Sequence, residues 1–431
     1  MICCAFHSLK RSTFLSVILS TLFLLISLSG SKLIAEEAVQ TSPIAWSPSE
    51  RARIFTFGPW PPPNNALDSP QRRQINPLAG HPKAIALGER LFGDPRLSAN
   101  GKVACETCHQ AKRGFTDGRA LSIGLVELQR NAPPLFDLAD QRWFGWDGGA
   151  DNLWAASIRP LLDPQEMGNS VESLAKVLGG DLAYSTLVDD LQSLVTPNSS
   201  PRDHHEKTVV IAAMSLAAWM ETIESERSAF DRYRDALSQL SLNPSGENIV
   251  EHATSQTNIL KKTGFTPEAE RGLKLFVGKG NCWVCHGGSR FTHGEFHDIG
   301  RPFMVKAKRG NPALTVDPGR FRGIERVKSD PYNLLGRWSP APNSQRAQLV
   351  DQTILQHRNW GEWKIPSLRN LKMTAPYMHD GSLASLRDVV LHYSELNEER
   401  LHADGEALLK PLRLNGQDIN DLVAFLESLS P

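Results

Sequence analysis

Cysteine is scarce in this chain of 431 residues, which contains only six. Two of the six lie in an apolar leader, and the other four occur as two Cys-x-x-Cys pairs, each followed directly by histidine. No pair is left over for a structural disulfide. The cysteines are therefore not expected to form structural disulfides. Their role is to be sought in the two Cys-x-x-Cys-His patterns.

The chain also lacks an excess of charge of either sign, with 47 basic and 47 acidic side chains. A balanced chain has no electrostatic reason to bind nucleic acid, and no nucleic-acid partner is expected. Alternating apolar and polar residues, the pattern of strands, do not extend over any useful length. We therefore predict a mainly α fold, and the length favours two or three domains.

Long apolar runs are equally rare, and the only one is at residues 14–28. Lys10 and Arg11 precede it and small residues follow at 29–35, which is the pattern of an export signal. An uncleaved N-terminal anchor is the alternative. No later run approaches the ~20 apolar residues of a membrane span, so we expect no stable span in the mature chain. The mature protein is predicted to be periplasmic.

Each Cys-x-x-Cys-His pattern is the attachment motif of a c-type haem. The two thiols add to the porphyrin vinyl groups, and the histidine becomes the proximal ligand of the iron. One match could arise by chance or begin a zinc site, but two matches that use every cysteine outside the leader predict two covalent haems. The predicted haem-binding residues are Cys105, Cys108 and His109 in the first motif, and Cys282, Cys285 and His286 in the second.

An internal repeat surrounds these motifs. Gly-x-x-Leu-Phe precedes each of them, at residues 88–92 and 272–276, and Phe-Thr-x-Gly follows each, at 115–118 and 291–294. This order indicates two related haem domains with long loops. The predicted divisions are a signal peptide (1–35), an extended Pro-rich arm lying on the domain that follows (36–80), an N-terminal cytochrome c-like domain (81–243) and a C-terminal one (244–431).

Helical signals occur at several places in the chain. Residues 84–92 and 419–429 have helical spacing, and apolar residues between 209 and 223 share one helical face. Thr266, Pro267 and Glu268 form an N-cap, a first-position proline and an acidic first turn. Residues 242–264 are polar and are predicted to be the interdomain linker.

Together these features resemble the bacterial dihaem cytochrome c peroxidase superfamily, and within it the MauG/MbnH-type branch. The resemblance runs from about residue 54 to the C-terminus. Besides the haem motifs, it rests on Arg-Asn-Ala-Pro (130–133), Trp-Asp-Gly (146–148), Pro-Gln-Glu-Met-Gly (164–168), Pro-Ser-Leu-Arg-Asn (366–370) and Thr-Ala-Pro-Tyr-Met-His-Asp-Gly (374–381).

The resemblance implies that the haem at His109 reacts with peroxide and that the other haem is an electron reservoir. Classical members place a distal histidine ligand at the position of Leu125, so this iron is expected to be permanently five-coordinate. The resemblance places Pro160 over the open face and makes Glu166 the acid that moves protons during O–O cleavage. The branch usually has Gln at the position of Ala156, so one distal hydrogen bond is expected to be absent.

Two further features follow from the same resemblance. Trp146 matches a tryptophan between the haems that carries electrons, the alternative being a packed core aromatic. Asn131, Thr374 and Pro376 match the ligands of one calcium ion. Their oxygen donors suit that hard cation.

The distal ligand of the second haem decides the subclass. Tyr393 stands where classical peroxidases have Met and the MauG branch has Tyr. A phenolate stabilises ferric and higher oxidation states, which suits a store of oxidising equivalents. Met378, His379 and His392 are rival ligands, and a Tyr packed on a helix face is the structural alternative.

The expected function is therefore that of a periplasmic enzyme consuming hydrogen peroxide and oxidising a partner protein through a high-valent dihaem state. Gly280 replaces the tryptophan through which MauG passes electrons to its substrate, so the methylamine dehydrogenase reaction is not expected. One alternative is a classical peroxidase with a small cytochrome c or a cupredoxin as donor. Another is a dihaem electron carrier without chemistry of its own.

Overall fold

Helices make up most of the regular structure, as predicted from the missing strand patterns. The structure is a computed structural model that describes residues 44–431 except 64, 197–203, 243–248, 302–303, 306–314, 401–403 and 405–407. The predicted signal peptide lies outside the described residues. So does the proposed domain boundary at residues 243 and 244, which stays a prediction.

The helices and strands are numbered in chain order. The α-helices are α1 Pro48–Thr56, α2 Pro70–Ile75, α3 Pro82–Phe92, α4 Cys105–Cys108, α5 Leu153–Leu162, α6 Val171–Gly180, α7 Leu182–Leu191, α8 His204–Met220, α9 Ala229–Leu242, α10 Ile249–Thr263, α11 Pro267–Val277, α12 Arg320–Ser329, α13 Gln345–Gln352, α14 Leu386–Ser394 and α15 Gly416–Glu427. Single 3-10 turns cover Pro95–Leu97, Ala111–Arg113, Cys282–Val284, His357–Asn359, Leu371–Met373 and Glu398–Arg400.

The strands are β1 Phe296–Asp298, β2 Met304–Val305, β3 Thr315–Val316 and β4 Glu362–Lys364. They form two small antiparallel sheets, β1 with β4 and β2 with β3. The first sheet pairs Phe296 with Lys364 and His297 with Trp363, which brings the segment after the second haem motif beside the segment before residues 366–370. Among the described residues, no helix has the length and apolar character to cross a membrane.

Helix α8 is the centre of the packing around the first haem motif. Helices α3, α5 and α6 pack against it, and it is buried on nearly all sides rather than along one face. It ends at Met220, before Ile223, so the predicted stripe of residues 209–223 is only partly helical. Gly88 of α3 lies at the crossing with α8, where a Cβ atom would come 2.1 Å from the carbonyl oxygen of Ser215.

The second repeat has the same crossing. Gly272 of α11 faces α15, and a Cβ atom there would lie 2.0 Å from the carbonyl oxygen of Asp421. The glycine of Gly-x-x-Leu-Phe is thus the contact point of two helices in both halves, and close approach is the reason for its recurrence. Thr266 caps α11 by accepting a hydrogen bond from the Ala269 amide, as predicted.

The N-terminal arm differs from its predicted form and position. It contains the short helices α1 and α2 instead of being wholly extended. It also packs on elements of the second repeat: Arg53 donates to the carbonyl of Val277 at 2.6 Å. Phe57 stacks on Phe291 with ring centroids 4.8 Å apart. The arm therefore contacts the later part of the chain, and the prediction that it lies on the domain that follows was incomplete.

The polar stretch predicted to be a linker is also different, because α10 occupies most of it. Its C-terminal part is tied to the neighbouring helix by Gln256, which donates to the Glu270 carboxylate at 2.5 Å. Tyr233 donates to the same carboxylate at 2.6 Å. Polar side chains that find buried partners anchor a helix whose sequence shows little apolar periodicity.

Candidate haem sites

The first haem motif begins with the single turn α4. Thr107 accepts a hydrogen bond from the Ala104 amide at 2.9 Å, and the amide of His109 donates to the carbonyl of Cys105 at 3.0 Å. The imidazole Nδ1 of His109 lies 2.9 Å from the carbonyl oxygen of Phe115. This contact fixes the ring and its tautomer and leaves Nε2 as the atom that can bind iron, as is usual for histidine ligands.

The second motif repeats the two contacts of its histidine, although its turn is a 3-10 turn without a side-chain cap. The amide of His286 donates to the carbonyl of Cys282 at 2.9 Å, and Nδ1 lies 3.0 Å from the carbonyl oxygen of Phe291. Phe291 has a φ of 53°, and its counterpart Phe115 has a φ of 58°. The Phe-Thr-x-Gly repeat is thus the turn that orients each histidine. Burial lowers the pKa of His286 to about 4, which keeps the imidazole in its neutral, metal-binding form.

A cavity of about 590 Å³ adjoins the first motif. Cys105, Cys108 and His109 line it, and so do Pro160 and Glu166. Its size lies within the ~300–1,000 Å³ of cofactor pockets. Among the described residues that line the cavity, His109 is the single histidine. The structure thus brings together the attachment residues and the two residues predicted for the distal face.

Buried positive charge in the same cavity also fits a haem. Lys364 lines the cavity and its ammonium group donates to the Gln141 side chain at 2.5 Å. Partial burial lowers the pKa of Lys364 to about 8, because desolvation disfavours its charged form. The propionate carboxylates of a haem would supply the missing negative charge. Lys364 was not found from the sequence, in which it is an ordinary lysine of a short strand.

Glu166 is fixed by the turn that follows α5. Its amide donates to the carbonyl of Asp163 at 3.0 Å, and its own carbonyl accepts from the amide of Leu125 at 2.9 Å. Arg159 holds the carboxylate, with Nη1 2.5 Å from Oε1. Arg159 precedes Pro160 on α5 and lines the same cavity. Arg159 was not predicted from the sequence, although a basic residue seven positions before Glu166 is a possible partner for that carboxylate.

Trp146 lies at the junction of the cavity with β4. Its indole nitrogen donates to the carbonyl of Asn131 at 2.8 Å, and its own carbonyl accepts from the amide of Lys364 at 2.8 Å. Trp143 and Trp154 are buried in packing clusters. Trp146 thus contacts segments that precede and follow the second haem motif, although a role in electron transfer stays a prediction.

An ion-pair network joins the Arg-Asn-Ala-Pro and Trp-Asp-Gly motifs. Arg130 pairs with Asp147 at 2.8 Å and with Asp317 at 2.7 Å, and Arg326 lies 3.2 Å from Asp147. Burial acts to raise the pKa of Asp147, but the charges of Arg130 and Arg326 hold it below its usual range. These motifs therefore also have a structural role, which the sequence did not reveal because Asp317 is 187 residues from Arg130.

The predicted calcium ligands lie on two segments that meet where the Asn131 amide contacts the carbonyl of His379. The amide of Asn131 donates to the carbonyl of His379, and its side-chain nitrogen donates to Arg119, which turns the side-chain oxygen away from that contact. Thr374 is buried, and Pro376 follows a cis peptide bond. An oxygen donor is available at Asn131, and calcium binding stays a prediction.

Tyr393 lies on α14, close to the second haem motif. Burial raises the pKa of its phenol, and the nearby thiols of Cys282 and Cys285 raise it further. Its neighbour His392 is engaged elsewhere, with Nε2 2.8 Å from the carbonyl oxygen of Ile299. Of the predicted rivals, His379 is stacked on Trp363 with ring centroids 3.5 Å apart. Ligation by Tyr393 stays a prediction.

Two histidines lie beside the second motif. One nitrogen each of His293 and His297 and the sulfur of Cys285 lie within 4.8 Å of one another. Attachment of a haem consumes the Cys285 thiol, so the two imidazoles become neighbours of the haem edge. Of this pair, only His293 was visible in the sequence, as part of the Phe-Thr-x-Gly repeat.

Comparison with known proteins decides the family. The profile of the di-haem cytochrome c peroxidase family matches residues 82–239. The methylamine utilization protein MauG of Methylorubrum extorquens is 34% identical over 358 residues, covering 83% of this chain and 80% of its own length. The chain belongs to the di-haem cytochrome c peroxidase family. Two haem c groups are therefore its cofactors, and it is a peroxide-dependent oxidoreductase, as predicted.

Other relatives of this dihaem peroxidase have different names. The cytochrome-c peroxidase IdrP2 of Denitromonas iodatirespirans is 30% identical, covering 82% of this chain and 83% of its own. Among solved structures, a MauG-like protein associated with microbial copper homeostasis is 26% identical, with a TM-score of 0.58, covering 86% of this chain and 95% of its own. The diheme peroxidase BthA from Burkholderia thailandensis, 22% identical with a TM-score of 0.57, covers 81% of this chain and 86% of its own and supports the fold. The mainly helical fold predicted from sequence is confirmed.

Proposed function

We propose that this enzyme uses hydrogen peroxide to store two oxidising equivalents on its two haems and then oxidises a partner protein outside the cytoplasm. The observation that carries the proposal is the unlike surroundings of the two motifs. Beside His109 the described cavity has no second histidine, and the sequence has Leu125 at the position of the classical distal ligand. Beside Cys282 and Cys285 lies a half-buried tyrosine, Tyr393.

Bound haem would supply the iron that binds peroxide and the orbitals that hold the oxidising equivalents. The chain supplies the proton chemistry. Glu166 is within the same cavity, is only partly accessible and is held by backbone hydrogen bonds. A carboxylate so placed takes a proton from the inner oxygen of peroxide and returns it to the outer oxygen, which leaves as water.

Trp146 is proposed to carry electrons between the two centres. The indole lines the first cavity, and its hydrogen bond to Asn131 holds its plane. The Asn131 amide in turn bonds to the carbonyl of His379, a residue of the motif before Tyr393. This short chain of contacts links the cavity with the segment that leads to the second haem.

Tyr393 is proposed to close the second haem. A phenolate oxygen favours the oxidised forms of iron, whereas a thioether sulfur favours the reduced form. The second haem would therefore rest oxidised and share the oxidising equivalents instead of waiting as an electron donor. This property distinguishes partner oxidation from the alternative, a classical peroxidase supplied by a small cytochrome or cupredoxin.

That alternative has its own support, since the relatives include proteins named cytochrome-c peroxidase. The substrate of MauG itself is not proposed, because Gly280 stands in the place of the electron-transfer tryptophan. Export to the periplasm is proposed from the leader at residues 14–28 and from the extracytoplasmic chemistry of haem c attachment.

Replacement of Tyr393 tests the proposal. We expect Tyr393→Met to raise the reduction potential of the second haem by on the order of 100 mV, within the ~0.8 V that axial ligands span. The state formed with one equivalent of peroxide should also decay faster than in the wild type. Spectroscopic redox titration and stopped-flow absorbance measure these two quantities.

His392→Gln is the matched control, because glutamine can still donate to the Ile299 carbonyl. It should leave the potential and the lifetime unchanged. If Tyr393→Met has the wild-type potential and His392→Gln does not, the ligand assignment is wrong. Rapid turnover of reduced cytochrome c by the wild type would favour the classical peroxidase, and a wild type that ignores peroxide would indicate a carrier.

A further inference from the structure

The guanidinium of Arg159 occupies the cavity next to the proposed proton-transfer carboxylate. Nη1 lies 2.5 Å from Oε1 of Glu166 and 4.0 Å from Oδ2 of Asp163. The Glu166 carboxylate, more than any other group, raises the pKa of Arg159. Arg159 is therefore a permanent cation in direct contact with the group proposed to move protons.

The backbone makes this position firm. Arg159 lies on the last turn of α5, where its carbonyl accepts from the amide of Asp163 at 2.9 Å. The amide of Met167 donates a hydrogen bond to the carbonyl of Pro160, the residue after Arg159, at 3.0 Å. Arg159 and the Glu166 turn are thus held on one rigid element, which is what a preorganised site requires.

The guanidinium also has donors to spare. It carries five N–H groups, and in the described part of the chain Glu166 is the side chain that accepts a hydrogen bond from it. About a third of the side chain, 37%, is accessible. The remaining N–H groups can therefore reach a small molecule in the cavity.

Position 156 of the same helix supplies no hydrogen-bond donor, because Ala156 lines the cavity with only a methyl group. Ser157 also lines the cavity, but its hydroxyl donates to the carbonyl of Leu153. Arg159 and Glu166 form a charged pair in the lining that also contains Pro160. A cation there stabilises negative charge that develops on an oxygen during bond cleavage, and it does so most strongly where water is excluded.

We infer that Arg159 is a further catalytic residue, which holds the Glu166 carboxylate in place and donates a hydrogen bond to the outer oxygen of peroxide. The inference rests on the proposed function. When the O–O bond breaks, the outer oxygen would leave as water with both peroxide protons, and bound haem would take up the inner oxygen and the two oxidising equivalents. Glu166 transfers the proton, and Arg159 stabilises the charge on the leaving oxygen.

Fluoride binding to the ferric holoenzyme tests this without turnover. Fluoride binds an open iron and is stabilised by a cationic donor beside it. We expect Arg159→Met to weaken fluoride binding by about 10- to 100-fold, as for loss of a hydrogen bond to a charged group, and Arg159→Lys to restore part of it. Arg73→Met is the matched control, because Arg73 pairs with Asp68 at the exposed surface. It should bind fluoride as the wild type does.

Peroxide reactivity gives the second readout. The second-order rate constant should fall by about 100-fold or more in Arg159→Met, and by a similar factor in Glu166→Gln. The double variant should fall less than the product of the two factors, because the two groups act as a unit. Haem content and the thermal unfolding temperature are measured for every variant.

The outcomes separate the two hypotheses. If the wild type binds neither fluoride nor peroxide, the proposed function is wrong, whatever the variants do. If the wild type binds both and Arg159→Met retains wild-type fluoride affinity, the inference about Arg159 is overturned. Loss of haem or a shifted haem potential in Arg159→Met with unchanged fluoride affinity would instead indicate a propionate contact, and this too would overturn it.

Discussion

Gly272→Ala should destabilise the enzyme although alanine is the better helix former. The added Cβ would lie 2.0 Å from the carbonyl oxygen of Asp421, 2.6 Å from its carbonyl carbon and 2.7 Å from Cβ of Phe425. All three contacts are shorter than van der Waals separation. Two involve backbone atoms of α15, which cannot rotate away, so α11 and α15 must move apart.

The magnitude follows from two opposing terms. Overpacking of a core contact costs about 1–3 kcal/mol, and rigid backbone neighbours place this site near the upper end. Replacing a helical glycine by alanine stabilises the folded state by roughly 0.5–1 kcal/mol. The net loss should be about 2 kcal/mol, which for a chain of this length lowers the unfolding temperature by roughly 2–3 °C. Gly88→Ala should behave alike, because the equivalent Cβ lies 2.1 Å from the Ser215 carbonyl oxygen.

Thermal unfolding of the holoenzyme, followed by the Soret band and far-UV circular dichroism, measures the effect. Gly179→Ala is the control, because this helical glycine is exposed and a Cβ there meets nothing within 4 Å. It should unfold at or slightly above the wild-type temperature. If Gly272→Ala is as stable as Gly179→Ala, close approach of the two helices is not the reason why glycine recurs in both halves. The packing explanation would then be wrong.

Two further predictions concern the ions and buried charges of the site region. Added calcium should raise the unfolding temperature of chelator-treated wild type but not of Asn131→Ala, and metal analysis that finds no calcium in the purified protein would refute the site. Burial raises the pKa of Glu221 to about 7, with Arg72 opposing, against an ordinary value of 4.5. Stability should therefore fall as pH rises from about 4.5 to 7. Glu221→Gln should be more stable than wild type by about 3 kcal/mol at pH 8 and nearly equal at pH 4, unlike exposed Glu226→Gln.

The sequence by itself determined the chemistry of attachment. A thiol pair and a histidine at fixed spacing specify haem c locally, because the three groups act within one turn of chain. The repeat of Gly-x-x-Leu-Phe and Phe-Thr-x-Gly likewise predicted two like units. The structure adds the reasons: the glycine permits a helix crossing, and the phenylalanine carbonyl orients the proximal histidine.

Tertiary structure decided the electrostatics around those motifs. Asp317 meets Arg130 across 187 residues, and the arm at Arg53 reaches Val277 across 224. Pairing between residues so far apart in sequence depends on how the whole chain packs. No periodic pattern in the sequence predicts which acidic group a given arginine will contact. The helix α10 was missed for a similar reason, because a buried hydrogen bond from Gln256 anchors it instead of an apolar stripe.

The contact of Arg159 with Glu166 depends on both the sequence and the tertiary structure. Its distance from Glu166 is only seven residues, yet contact requires α5 to end where it does and the next turn to fold back on Leu125 and Pro160. Sequence determined which groups are present beside the first haem. Only the fold decided that the cation and the carboxylate share one cavity, because a turn places side chains by its backbone hydrogen bonds and not by spacing alone.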